Sequence, residues 1–129
     1  MPRGYSRERT SVHNLHYHFV WCPKYRKPVL TDEVADRLEQ LIREKADELD
    51  LDILRLAIQP DHVHLFITGN PKLAPNKIIQ QVKGYTSRNL REEFDFGLPS
   101  LWTRSYFVSS AGEVSNQTIE EYIEAQTGQ

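Results

Sequence analysis

The sequence lacks the features that mark secreted, disulfide-stabilised or membrane proteins. It contains one cysteine, Cys22, which cannot form an internal disulfide, and this scarcity is typical of a reducing compartment. Its unbroken apolar runs are only a few residues long, too short for a membrane span. No apolar segment follows the charged residues near the first methionine, so the sequence predicts no signal peptide and a cytoplasmic location. It also shows no internal repeat or long linker, and 129 residues predict one domain.

Neither sign of charge dominates the chain as a whole. Sixteen lysines and arginines against eighteen aspartates and glutamates give a net charge of −2, which by itself argues against nucleic-acid binding. The charges are segregated, however, since residues 1–30 carry six basic and one acidic side chain and residues 59–91 carry five and one. Residues 31–58 carry four and nine, and residues 92–129 carry one and seven. Such blocks predict either a basic and an acidic side or signs that intermix after folding.

Hydrophobic periodicity predicts alternating strands and helices. Apolar side chains alternate in the strand manner over residues 13–21, and they recur at helical spacing after Thr31 and after Pro75. The predicted strands cover residues 13–21, 53–58, 62–68 and 105–110, and the helices cover 31–49, 75–94 and a segment that begins between Ser115 and Thr118. This order predicts an α+β fold of the ferredoxin-like split βαβ type, with two helices on one face of an antiparallel sheet and an added C-terminal helix.

The sharpest motif is His62-Val63-His64 on the predicted third strand. Residues i and i+2 of a strand point the same way about 7 Å apart, so both imidazoles can reach one cation. The alternative is a pair of half-exposed histidines with hydrogen-bond partners, and the motif alone leaves both open.

The C-terminal helix carries Tyr122 and Gln126, four residues apart and therefore on one side of the helix. Taken alone, this spacing favours a core tyrosine beside Ile119 and Ile123 with a solvated glutamine. Two other groups could carry chemistry, although a polar sheet face and ordinary packing are the simpler interpretations. They are the histidines near the first strand (His13, His16 and His18) and the aromatic residues that could stack on bases (Trp21, Tyr25, Trp102 and Tyr106).

Two segments together resemble a known family. Pro60-Asp61-His62-Val63-His64-Leu65 and Tyr122-Ile123-Glu124-Ala125-Gln126 are similar to the signatures of the small single-tyrosine HUH (histidine, hydrophobe, histidine) transposases, the TnpA-type enzymes of minimal insertion sequences. Further matches are Trp21 through Arg26, Val82-Lys83-Gly84, Leu101-Trp102 and Ser105 through Gly112. The similarity extends from about His13 to Gln126, in the family's order and spacing.

The resemblance implies an activity and a set of site residues. Tyr122 would attack a scissile phosphate in single-stranded DNA and leave a 5′-phosphotyrosine, and His62, His64 and Gln126 would hold a divalent metal ion. Three neutral ligands leave positions open for phosphate oxygens, and the mixed nitrogen and oxygen set suits Mg²⁺ or Mn²⁺. The linkage energy is kept in the phosphotyrosine, so no nucleotide cofactor is needed, and the sequence contains no P-loop.

The resemblance also implies partners. The family recognises subterminal hairpins in single-stranded DNA and works as a homodimer, in which the tyrosine helix can complete the partner's site. We expect a core over residues 13–111, followed by a hinge and the tyrosine helix over residues 112–129, without a cis or trans assignment for Tyr122. The candidate contacts to the DNA backbone are basic residues of the loop after the first strand and of the second helix: Lys24, Arg26, Lys27, Lys77, Lys83, Arg88 and Arg91.

Three other functions stay open at this point. The chain could be a domesticated relative that acts on dispersed palindromic repeats. It could be a ferredoxin-like nucleic-acid-binding module without catalysis, although the intact His62, His64, Tyr122 and Gln126 count against this. It could also be a metal-dependent hydrolase that uses the first-strand histidines, but such an enzyme lacks an obvious carboxylate base.

Overall fold

A computed structural model describes residues 15–110 and 116–129 of the chain. The predicted site residue His13 and the predicted hinge at Gly112 lie outside the described residues. The strands are β1 (His16–Trp21), β2 (Ile53–Gln59), β3 (His62–Thr68) and β4 (Phe107–Ser109). The helices are α1 (Asp32–Glu48), α2 (Pro75–Glu93) and α3 (Asn116–Ala125), with a short 3₁₀ turn at Lys24–Arg26. No helix within the described ranges is long and apolar enough to cross a membrane.

The four strands form one sheet in the order β2-β3-β1-β4, and every neighbouring pair is antiparallel. This order places β3 between β1 and β2, which is the split βαβ arrangement that the sequence predicts. In the β1–β3 pairing, Trp21 lies opposite Val63 and Val20 lies opposite His64. The register therefore puts the histidine pair beside the C-terminal end of β1.

One face of the sheet supports the main hydrophobic core. Phe19 and Trp21 from β1 meet Val63 and Leu65 from β3, and all four side chains are completely buried. Because alternate residues of a strand point to the same face, these four side chains lie together against the helices. The helices contribute Leu38, Leu41 and Ile42 from α1 and Ile78, Ile79 and Val82 from α2. The prediction of two helices on one face is confirmed.

The opposite face of the sheet is covered by α3. A second, smaller cluster joins Val20 and Cys22 of the β1 segment to Ile119 and Ile123 of α3. His18, His62 and His64 belong to this face by strand alternation, since their neighbours in sequence point into the main core. The fold therefore places the tyrosine helix and the histidine pair on the same side of the sheet.

The 3₁₀ turn after β1 has an unusual backbone. Tyr25 and Arg26 have φ angles of 56° and 55°, in the left-handed region that side chains other than glycine rarely adopt. The backbone N–H of Lys24 donates to the carbonyl of Leu101 at 2.8 Å and ties the turn to a distant connection. Such conformations persist only where surrounding contacts enforce them, and here they direct Arg26 toward the β2–β3 turn.

Candidate active site

His62 is oriented by its neighbour Asp61. Asp61 Oδ1 lies 2.8 Å from Nδ1 of His62, and Asp61 Oδ2 accepts a 2.7 Å hydrogen bond from Arg26. Burial alone would raise the pKa of Asp61, but the hydrogen bonds and charges of Arg26 and His62 outweigh it and hold that pKa below its ordinary value. A carboxylate can only accept, so Nδ1 of His62 carries the proton and Nε2 has its lone pair available.

His64 is supported in the same way by His18. Nδ1 of His64 lies 3.1 Å from Nε2 of His18, and the His18 ring stacks on Phe66 with centroids 3.9 Å apart. Burial, followed by the nearby charges of His62, His18 and Arg55, lowers the pKa of His64 to about 4. His64 is therefore neutral near pH 7, the form in which an imidazole binds a metal. The sequence suggested the first-strand histidines as a separate candidate site. In the structure His18 instead contacts Nδ1 of His64.

The two motif histidines lie close together. The ring centroids of His62 and His64 are 5.0 Å apart, and the Nδ1 atom of each ring faces a partner on its outer side. Metal-binding histidines usually engage their second nitrogen with a carboxylate, a carbonyl or another polar group, which fixes the ring. This donor chemistry fits a divalent cation at the pair. The described residues contain no group of three or more His, Cys, Asp or Glu side chains placed to hold a metal.

Tyr122 and Gln126 are neighbours, as their spacing predicts, but they meet at Ser105. The Ser105 hydroxyl lies 3.2 Å from the Tyr122 hydroxyl and donates to Oε1 of Gln126 at 2.8 Å. Nε2 of Gln126 donates to the backbone carbonyl of Tyr122 at 3.2 Å. Gln126 is buried rather than solvated, with 6% of its surface exposed. The structure thus gathers the four predicted catalytic and metal-binding residues into two groups, the histidines and the Tyr122–Gln126 pair.

The Tyr122 hydroxyl is not activated in this arrangement. Burial raises its pKa to about 12. A phenol with that pKa is almost wholly protonated near pH 7 and is a poor nucleophile.

A cavity of about 580 Å³ lies between the histidine side of the sheet and α3. Its lining residues are Arg26, His62, Gln117, Glu120, Glu121, Ile123 and Glu124. The part of α3 beside His62 is therefore largely acidic. Of the candidate ligands, His62 lines this cavity, whose size would admit a nucleotide-sized group.

Arg26 connects the two halves of the site. Besides its bond to Asp61, its guanidinium donates to Glu124 at 2.9 Å and to Thr127 at 3.3 Å. The sequence proposed Arg26 as a contact to the DNA backbone, and that contact stays a prediction. In the described structure Arg26 joins the turn before His62 to the C-terminal end of α3.

Lys83, a candidate contact to the DNA backbone, is occupied by contacts within the fold. Its ammonium donates to the carbonyls of Thr103, Arg104 and Ser105 at 2.7, 3.3 and 2.9 Å. Burial lowers its pKa to about 8. Lys83 therefore anchors the segment that carries Ser105, and its contact with DNA stays a prediction. Among the other candidates, Arg91 donates to the carbonyl of Pro99 at 2.8 Å, and the exposed side chains are Lys27, Lys77, Arg88 and Arg91.

The aromatic residues considered for base stacking divide into two groups. Trp21 and Trp102 are buried and pack edge to face with ring centroids 5.9 Å apart, so they belong to the core. Tyr106 is partly buried against that core, whereas Tyr25 is 49% exposed on the 3₁₀ turn. Only Tyr25 of the four presents a largely open ring.

Sequence reasoning missed the roles of Ser105 and His18. Ser105 stands inside one of the segments that carried the family resemblance, so the motif marked the segment without identifying the contact. His18 lies on the same strand face as Val20, and Val20 lies opposite His64. The β1–β3 register, which alternation alone does not give, was the missing signal.

Comparison with known proteins gives a consistent result over almost the whole chain. A family model described as "Transposase IS200 like" matches residues 11–126. The ISDra2 transposase TnpA of Deinococcus radiodurans is 34% identical over 133 residues, an alignment that covers 98% of this chain and 94% of that protein. The transposase for insertion sequence element IS200 of Salmonella typhimurium is 27% identical over 118 residues, covering 88% of this chain and 77% of the relative.

Solved structures share the fold. The crystal structure of a candidate transposase from Deinococcus radiodurans R1 superposes with a TM-score of 0.80 at 34% identity, covering 86% of this chain and 89% of that one. A REP-associated tyrosine transposase bound to a REP hairpin superposes with a TM-score of 0.60 at 14% identity, covering 84% and 62%. At that identity the second likeness concerns the fold alone. Together with the family match, the first establishes that this chain belongs to the IS200-like family of tyrosine transposases.

Proposed function

We propose that this transposase cleaves and rejoins single-stranded DNA at the ends of an insertion sequence, with Tyr122 as the nucleophile. The observation that carries the proposal is the paired support of His62 and His64. Asp61 and His18 engage the Nδ1 atoms of the two rings, and His62 borders a cavity beside the tyrosine helix. A pair of half-exposed histidines without a site would not need both rings fixed in this way.

In the proposed reaction, the Tyr122 oxygen attacks the scissile phosphorus and the bond from phosphorus to the 3′ oxygen breaks. The products are a 5′-phosphotyrosine and a free 3′-OH, whose oxygen takes up a proton as the tyrosine loses its own. In the second step a 3′-OH attacks the phosphotyrosine, and the Tyr122 hydroxyl is restored. One phosphodiester is broken and one is formed, so the pair of steps consumes no nucleotide.

The residues that would hold the metal are His62 and His64 through Nε2 and Gln126 through Oε1. A bound Mg²⁺ or Mn²⁺ would polarise the scissile phosphate and stabilise the charge that develops on the leaving oxygen. Asp61 and His18 keep the two rings in place, and Arg26 fixes Asp61. In the described arrangement Gln126 is bonded to Ser105, and we propose that it joins this set when it leaves Ser105.

We propose that assembly of the complete site involves movement of α3. In the described arrangement, Tyr122 and Gln126 are bonded to Ser105, whereas His62 faces acidic residues of the same helix. We propose a homodimer in which a released α3 reaches the histidine pair, either of its own chain or of its partner.

The proposed substrate is single-stranded DNA with a hairpin near each end of the element. The REP-associated neighbour is bound to a hairpin, and the shared fold makes hairpin binding a reasonable expectation for this chain. The backbone contacts proposed for this chain come from the loop after β1 and from α2, mainly Lys24, Lys27, Lys77, Arg88 and Arg91.

A repeat-associated, domesticated role is the second candidate function. The fold likeness to the REP-associated protein favours it, but the identity is 14%, against 34% to the ISDra2 transposase. Hairpin-forming inverted repeats on both sides of the coding region would support the insertion-sequence assignment, and dispersed single copies elsewhere in the genome would support the alternative.

The decisive experiment uses end-labelled single-stranded DNA that carries the hairpin-forming sequence beside the coding region. With Mn²⁺, the unaltered protein should give a shortened labelled strand and a covalent protein–DNA adduct on a denaturing gel. Tyr122→Phe should lose both, by at least about a thousandfold, because only the attacking oxygen is removed. Tyr106→Phe, a change of the same kind in a core-packed ring, should keep both. An adduct that persists in Tyr122→Phe would overturn the assignment.

A further inference from the structure

We propose that Ser105 is a positioning residue that holds Tyr122 and Gln126 in a parked arrangement, away from the histidine pair. The proposal deepens the proposed function, because it rests on Tyr122 as the nucleophile and Gln126 as a metal ligand. It assigns to Ser105 the control of how often these two groups become available together.

The proton count at Ser105 shows how one hydroxyl can occupy both groups. Ser105 has one proton, which it donates to Oε1 of Gln126 at 2.8 Å. The Tyr122 hydroxyl, 3.2 Å away, must then be the donor in its contact with Ser105. Each bond holds in place an atom that the proposed reaction needs, the ligand oxygen of Gln126 and the attacking oxygen of Tyr122. Ser105 therefore fixes the positions of both groups.

The orientation of α3 supports the same conclusion. The residues of α3 that line the cavity beside His62 include Glu120, Glu121 and Glu124, while Tyr122 and Gln126 are bonded at Ser105. Carboxylates beside the histidines would repel the phosphates of an approaching strand. Entry of DNA and delivery of Tyr122 thus depend on the same event, which is the release of α3.

The backbone that carries Ser105 is anchored to α2 and not to α3. Lys83 on α2 donates to the carbonyls of Thr103, Arg104 and Ser105, so three successive peptide groups are fixed to the helix that packs in the main core. When α3 moves, this segment can stay in place and re-form both bonds when α3 returns. The segment that Lys83 anchors is therefore a fixed docking point for α3, which can move relative to it.

The two Ser105 hydrogen bonds are weak enough for α3 to be released reversibly. A neutral hydrogen bond contributes about a fivefold factor to an equilibrium constant, so the two Ser105 bonds bias α3 toward the parked state by roughly ten- to thirtyfold. The exposed ion pair between Arg26 and Glu124 adds little, because solvent screens it. Binding energy from a DNA strand can exceed a bias of this size.

The test is hydrogen–deuterium exchange, read by mass spectrometry, on the peptide that covers α3. Ser105→Ala should raise the exchange rate of the α3 amides about tenfold, while peptides from β3 and α1 keep their rates. Ser105→Thr retains a hydroxyl and should restore slow exchange. Ser100→Ala is the matched control, since Ser100 belongs to the same connection but borders the cleft at the end of α2. Lys83→Met, which loses the anchor of the segment, should change α3 in the same direction as Ser105→Ala.

A second readout separates parking from a merely structural contact. Nitration of Tyr122 by tetranitromethane, located by peptide mass spectrometry, should accelerate in Ser105→Ala by a factor similar to that for exchange. The initial rate of strand cleavage should rise severalfold or stay unchanged. Unchanged α3 exchange and nitration in Ser105→Ala would overturn the proposal, and so would lost cleavage with unchanged exchange, which would give Ser105 a role in the reacting site. If the unaltered protein cleaves no hairpin DNA, the proposed function fails while the exchange and nitration results still judge the parking of α3.

Discussion

The two faces of the sheet differ in how firmly they are covered. The face beneath α1 and α2 carries a broad cluster of fully buried aromatic and aliphatic side chains, among them Trp21 and Leu65. Between the other face and α3 lies a cluster of only four buried side chains, two of them from α3 itself, beside histidines, Ser105 and an acidic cavity. We call the first the permanent face, because both of its helices pack into the main core. The second face holds α3 by a small apolar patch and a few polar bonds. We therefore expect changes on the first face to affect mainly stability and changes on the second to affect mainly the proposed chemistry.

The largest effect on stability should follow when a substitution creates a cavity in the permanent face. Leu65→Ala removes a completely buried side chain from the middle of β3 and should lower the free energy of unfolding by about 2–5 kcal/mol. Urea denaturation measures the loss. Ile123→Ala on α3 should lower the same quantity by less and should mainly speed hydrogen exchange within α3. Equal losses in the two variants would show that both faces unfold as one unit and would remove the distinction between them.

The next effect concerns metal affinity on the other face. His18→Ala removes the partner of His64 Nδ1 and should weaken Mn²⁺ binding about 10- to 100-fold, measured by calorimetric titration. His16→Ala is the matched control, because His16 lies on the same strand face but pairs with Thr68 at the far end. His62→Ala and His64→Ala should abolish detectable binding. Equal affinities in His18→Ala and His16→Ala would contradict a supporting role for His18.

Acid should weaken the fold through His64. His64 titrates near 4 in the folded chain and near its ordinary value of 6.5 when unfolded. Between these values the unfolded state binds a proton that the folded state does not, so stability is lost as the pH falls from about 6.5 toward 4. The loss attributable to His64 between about pH 7 and about pH 5 should be about 1 kcal/mol after allowance for solvent screening.

Urea midpoints at the two pH values measure this loss. Because every variant keeps the acid-sensitive carboxylates, a difference between variants reports His64. His64→Gln should remove part of the acid sensitivity while leaving the remainder. A pH dependence identical to that of the unaltered protein would mean that His64 is protonated to the same extent in both states.

The smallest effect should appear in DNA affinity. We expect the exposed basic side chains of α2, on the permanent side of the molecule, to bind backbone phosphates. Removing one phosphate contact on single-stranded DNA should flatten the slope of log affinity against log salt by about 0.7. Arg88→Ala should show this change in hairpin binding, whereas Arg43→Ala on α1, where Arg43 pairs with Glu39, should not. A slope that is unchanged in Arg88→Ala would place the DNA elsewhere.

The fold was largely predictable because it depends on short-range patterns. Strand alternation around Val63 and helical spacing after Pro75 decide which side chains can be buried together, and these signals place every main element. The proximity of Tyr122 and Gln126 was also predictable, since one helical turn separates them.

The contacts of the site were harder to predict because they depend on long-range geometry. Ser105 lies in a connection without periodicity, and its partners are set by where α3 docks. Arg26 reaches Asp61 from a turn with two left-handed residues, and neither of these is a glycine or asparagine that would announce such a turn. The cost of burying Lys83 is offset by three carbonyls that only the folded connection brings together.

The buried Cys22 makes the chain its own gauge of helix movement. Its side chain is completely buried in the cluster under α3, and burial, with the nearby Asp61, raises its thiol pKa to about 12. A thiol that is both covered and protonated reacts very slowly with alkylating reagents. Because the chain contains one cysteine, every labelled molecule has opened at this place. The rate of Cys22 modification therefore measures how often α3 leaves the sheet, without any added probe. DNA or metal that shifts the helix should change this rate.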